Sequence, residues 1–128
     1  MNAAIVLFAH GARDPEWAQP FLKIQALVKQ QFPTTPVTLA FLELMQPSLQ
    51  DTVANLTQGG TRQITLIPLF LARGGHLKQD LPRLVESLKS QFPATEISIA
   101  PAIGEEPAIL HHIAQWIVLQ HTATQRNP

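Results

Sequence analysis

Apolar runs of strand length alternate along the chain with segments whose apolar residues recur at helical spacing. Ala3 to Ala9 (AAIVLFA) is an almost unbroken apolar run, the pattern of a strand buried on both faces. Trp17, Phe21, Ile24 and Val28 then recur at spacings of four, three and four, which is one face of a helix. Pro36 to Phe41 (PVTLAF) predicts a second strand. Ser48 caps a helix carrying Leu49, Val53 and Leu56, and Gly59-Gly60 stops it. Ile64 to Leu69 predicts a third strand. Leu81, Leu84, Leu88 and Phe92 mark the next helical face, with Asp80 as its cap and Pro82 in its first turn. Glu96 to Ala100 reads as a fourth strand, and Ile109, Ile113, Trp116 and Ile117 face a last helix that starts near Pro107.

A βαβαβαβα order predicts an α/β fold: a three-layer domain with a four-stranded parallel sheet and helices on both faces. Right-handed crossovers restrict the topology, and strand order 2-1-3-4, a flavodoxin-like half, is the expected one. No linker divides the chain, so residues 1–120 form a single domain and residues 121–128 a flexible C-terminal tail. An internal repeat supports two βαβα units: Gln31-Phe32-Pro33 returns as Gln91-Phe92-Pro93, a shift of sixty. At that shift Arg13 meets Arg73, Lys29 meets Lys89, and Pro47 meets Pro107. Ten residues (His10 to Gln19) follow the first strand before confident helix, and ten (Phe70 to Gln79) follow the third. Strand-to-helix loops usually run about 2–6 residues. Two long ones at the carboxyl edge of neighbouring strands flank the crevice where such sheets bind ligands.

Composition narrows the class. In 128 residues, nine Lys and Arg balance nine Asp and Glu, without the basic excess expected of a nucleic-acid binder. Cysteine is absent, which removes disulfides, thiolate metal sites and Cys nucleophiles together. No apolar run approaches the ~18 residues of a membrane span, and no basic segment precedes the first strand as in a signal peptide. A soluble cytoplasmic protein is expected, and any metal it handles falls to His and carboxylates.

The candidates for that chemistry gather at the two long loops. His10 stands at the mouth of the first strand, and His76 follows Gly74-Gly75 in the partner loop. Imidazoles from loops flanking one crevice suit a shared first-row divalent ion; the alternative is a loop histidine bonded to backbone. Glu43, a carboxylate closing the apolar run AFLELM, is a third candidate, against a solvated strand-end residue. Arg13, Arg73 and Lys78 with the Gly74-Gly75 amides suit a polycarboxylate or phosphate ligand. His111, His112 and His121 read as surface residues. No G-x-S-x-G and no Ser at a strand-to-helix elbow support a Ser/His/Asp enzyme.

VLFAHGARDP, FLELMQPSL and PLFLARGGHLKQDLP together resemble the sirohydrochlorin chelatases of the short CbiX type, over residues 3 to 118. The resemblance implies insertion of a divalent metal, Co²⁺ by preference with Fe²⁺ or Ni²⁺ as alternatives, into sirohydrochlorin in cobalamin- or sirohaem-type biosynthesis. It implies His10 and His76 as the catalytic, metal-handling pair, with Glu43 as a third catalytic and metal-binding residue. Gly11, Arg13, Arg73, Gly74, Gly75 and Lys78 are then the substrate-binding set. It further implies a homodimer, with no cofactor beyond the metal substrate and no nucleic-acid or membrane partner. The family pattern often has Ser after His-Gly, where this chain has Ala12. Two other readings compete. One is a non-catalytic tetrapyrrole or metal carrier on the same scaffold. The other, a phosphoglycerate-mutase-like phosphoryl transfer, wants an Arg where Ala9 stands.

Overall fold

A computed structural model describes residues 2–72 and 74–126, with the side chains of Gly75, His76 and Arg126 outside the description. Strands β1 (Ala3–Ala9), β2 (Val37–Phe41), β3 (Gln63–Pro68) and β4 (Glu96–Ile99) alternate with helices α1 (Gln19–Gln31), α2 (Leu49–Gln58), α3 (Gly75–Gln91) and α4 (Pro107–Arg126). Short 3₁₀ turns at Pro15–Ala18 and Ile103–Glu105 precede α1 and α4. All strand pairs are parallel, and the order is β2-β1-β3-β4, as the element order predicts.

The alternation of strand side chains builds two cores. Val6, Phe8, Ile64, Leu66 and Ile97 face α2 and α3, meeting Leu49, Val53, Leu81, Val85 and Leu88. Leu7, Ala9, Val37, Leu39 and Phe41 face the other way, toward Trp17, Phe21 and Val28. Burial of β1 on both faces follows from its central place and its unbroken apolar run.

Three expectations are corrected. Helix α3 begins at Gly75, capped by Gly74, so Asp80 is no cap and Pro82 lies inside the helix rather than in its first turn. The missing Pro82 N–H and the ring cost a bond and a contact that the packing of Leu81 and Val85 outweighs. His76 therefore sits in the first helical turn rather than a long loop. Ile24, expected on the buried face of α1, is exposed. The neighbouring Gln25 faces the sheet instead, donating from Nε2 to the Val37 carbonyl at 2.8 Å.

Helix α4 departs furthest from expectation. It continues through His121 to Arg126, where a tail was expected. Its apolar stripe is not buried: Trp116 is 61% and Ile117 55% exposed. Among the described residues none from α4 joins either core, and Gln63, Thr65, Glu96 and Ser98 leave the β3–β4 half of the α1 face open. Among the described residues no helix is long and apolar enough to cross a membrane.

Candidate functional site

The site grows from the carboxyl ends of β1 and β2, whose parallel ladder continues past both strands. The Leu42 N–H donates to the Ala9 carbonyl at 2.9 Å, and the Glu43 N–H to the His10 carbonyl at 3.1 Å. This lateral register sets His10 and Glu43 side by side. His10 Nε2 lies 2.9 Å from Glu43 Oε1, and both side chains are about half exposed (51% and 54%). An ionised carboxylate only accepts, so Nε2–H is the donor beside it, and in the neutral ring that leaves the lone pair on Nδ1.

Two residues without ionisable groups define the geometry. Gly11 has φ +95°, and a Cβ there would overlap the Glu43 carbonyl oxygen. Only glycine takes that conformation freely and permits that approach. Gly11, expected among the substrate contacts, is thus buried against the neighbouring loop. Phe70, at the end of β3, presents its ring to His10 edge-to-face, with centroids 6.2 Å apart. Phe70 is itself buried against Phe8 (centroids 5.5 Å), so the imidazole rests on the core. Sequence reasoning missed Phe70; the only available signal was its place directly after an apolar strand neighbouring β1.

The remaining candidates divide. Arg13 and Lys78 are exposed at the same edge of the sheet. Gly74 caps α3 with open space around it, so its neighbourhood would admit a side chain. Arg73 and the side chains of His76 and Gly75 lie outside the described residues. Among the described residues no three His, Asp or Glu gather as a metal cluster; the pair His10–Glu43 is what the structure brings together. His111, His112 and His121 are exposed on α4, far along the chain from this edge. A cavity of about 580 Å³, lined by Arg13, Leu22, Phe41, Leu44 and Met45 among others, includes neither His10 nor Glu43. A larger depression of about 850 Å³ runs along β4 and includes none of the site residues.

The carboxyl edge of this parallel sheet thus carries a His–Glu pair, with Arg13 and Lys78 exposed at the same edge. The CbiX family model matches residues 4–118, and the chain belongs to that family. A sirohydrochlorin cobaltochelatase of Saccharolobus islandicus is 33% identical over 99 residues, covering 74% of this chain and 76% of that one. One from Saccharolobus solfataricus is 30% identical over 111 residues, covering 82% and 85%. Among solved structures, the CbiX protein from Marinobacter aquaeolei superposes with a TM-score of 0.82 at 30% identity, covering 94% of this chain and 98% of that one. The sirohydrochlorin chelatase SirB from Bacillus subtilis subspecies spizizenii, solved in complex with cobalt, gives 0.66 at 28% identity. That match covers 83% of this chain but 45% of SirB, so this chain spans under half of SirB.

Proposed function

We propose that this protein inserts a divalent metal ion, cobalt by preference, into sirohydrochlorin in cobalamin- or sirohaem-type biosynthesis. The observation that carries the reading is the His10–Glu43 pair, held 2.9 Å apart at the sheet edge of a CbiX-family chain. Relatives named sirohydrochlorin cobaltochelatase support the substrate and the metal. A SirB structure with Fe³⁺ keeps iron as the second candidate.

Metal insertion needs exchangeable ligands for the ion, a seat for the macrocycle and an exit for two pyrrole protons. His10 serves the first and third needs, because neutral imidazole both ligates such ions and accepts protons. Glu43, accepting from Nε2–H, orients the ring and strengthens Nδ1 as a donor, the arrangement common behind metal-bound histidines. His76 is the proposed second imidazole. Arg13, Arg73, Lys78 and the amides of Gly74 and Gly75 take the peripheral carboxylates.

The working form is a cytoplasmic homodimer. Its support is α4, whose apolar stripe lies in solvent on a chain spanning under half of SirB. The decisive assay offers metal-free sirohydrochlorin with Co²⁺, Fe²⁺ or Ni²⁺ and compares rates with and without protein. Acceleration, fastest with Co²⁺, is expected. Tetrapyrrole binding without acceleration for any ion would leave a carrier instead.

A further inference from the structure

We infer that Leu44 and Leu71 are the apolar contacts on which the tetrapyrrole rests, one on each side of His10. The inference builds on the proposed function and names the side chains that seat its substrate.

Leu44 and Leu71 are 60% and 59% exposed, and each follows a strand that borders β1. Neither strengthens the fold by burial, yet the backbone of each is held with unusual constraint. Leu44 has φ 65°, in a tight turn closed by the Met45 N–H donating to the Glu43 carbonyl at 2.8 Å. Such a turn is strained for a residue with a Cβ, and glycine would relieve the strain at no loss of buried surface. On its other side Gly11 presses on the same Glu43 carbonyl. Leu71 is locked in a parallel way: Gly104 lies against its carbonyl, where any Cβ would overlap the oxygen. The Gly104 N–H also donates to the Phe70 carbonyl at 3.1 Å. Two solvent-facing leucines are thus held on loops that have little freedom to withdraw them.

Their spacing fits one kind of ligand. Neighbouring strands lie about 4.8 Å apart, so the ends of β2 and β3 are separated by roughly 10 Å with β1 between them. That span is comparable with the breadth of a tetrapyrrole ring. A flat macrocycle bridging the two leucines carries its centre above the end of β1, where His10 stands. Its carboxylated rim then extends toward the exposed Arg13 and Lys78. An apolar ring with an anionic rim matches two apolar supports flanked by cations.

The test uses Leu44→Gly, which suits the positive φ, Leu71→Ala, their combination, and Leu→Met at each site. Binding of metal-free sirohydrochlorin is followed by its fluorescence, and steady-state insertion at saturating Co²⁺ gives KM and kcat separately. Each truncation should raise Kd and KM about five- to tenfold, the order expected when the ligand covers part of one leucine side chain. The double variant should multiply the two effects, kcat should stay within about twofold, and Met should restore binding. Variants that bind like wild type overturn the inference, as does a fall in kcat at unchanged Kd. A change in sedimentation without a change in Kd also overturns it, by assigning the leucines to a contact between copies. If wild type itself binds no tetrapyrrole, the functional reading fails and this inference with it.

Discussion

At the residue scale, His10 is defined by neighbours that fix it without competing for its free nitrogen. Glu43 engages Nε2, Phe70 supports the ring, and the backbone ladder sets the height of both loops. His10→Ala and His76→Ala should each lower insertion by about 10²–10⁴-fold, with thermal unfolding little changed for the exposed His10. Rates near wild type in both would remove the assigned roles. Protons and metal compete for imidazole, so Co²⁺ affinity read by calorimetry should fall on acidification. Glu43→Gln should weaken Co²⁺ binding about 10–100-fold at constant pH, read by calorimetry. Equal affinity would reduce Glu43 to a solvated strand-end residue. Gly11→Ala is the sharpest stability test: the added Cβ meets both a positive φ and the Glu43 carbonyl. A loss of about 2–4 kcal/mol is expected in denaturant titration. Histidine and glutamate were visible in the sequence as residues out of keeping with their apolar surroundings. Phe70 was not, because an aromatic at a strand end looks like any core residue until a neighbour is known.

At the element scale, periodicity located every strand, and α2 between Ser48 and Gly59, since each rests on local signals. Ser48 caps α2 by accepting from the Asp51 N–H at 3.1 Å, as its type and place suggest. The start of α3 was misplaced because Pro82 is a strong local marker of a first turn, while the true start at Gly75 carries glycines that disfavour helix. Packing of Leu81, Val85 and Leu88 into the core overrides that local preference. Pro82→Ala should therefore stabilise the protein by about 2 kcal/mol, restoring the bond to Lys78 against a smaller gain in unfolded-state freedom. Hydrogen exchange should slow at the amides of residues 77–81. Faster exchange there would mean that the proline, not the core, holds the helix start.

For the whole molecule, the open question is what α4 covers. Between Pro107 and Gln125 it carries no Lys, Arg, Asp or Glu, so no charge repels a second copy along its stripe. Its origin is set by the Gly104 turn against Leu71, so the proposed contact between copies would begin near the candidate site. Ile117→Asp should convert a dimer of 14.1 kDa chains into monomers in sedimentation at micromolar concentration. A wild-type chain that already sediments as a fully active monomer would contradict the dimer.

Hydrophobic pattern and element order were enough for the parallel α/β class, the strand order and the sheet edge where the candidate residues gather. Those follow from hydrophobic period, element order and the handedness of crossovers, which are local or topological properties. Tertiary structure alone decided which residues meet across that edge. The Glu43 carboxylate reaches His10, 33 residues away in sequence, because β1 and β2 share a ladder beyond their ends. Gly11 and Gly104 matter because separate loops approach each other at those points. Whether an apolar helix is buried depends on the surfaces within its reach, and α4 shows a core-like stripe that its own sheet leaves uncovered.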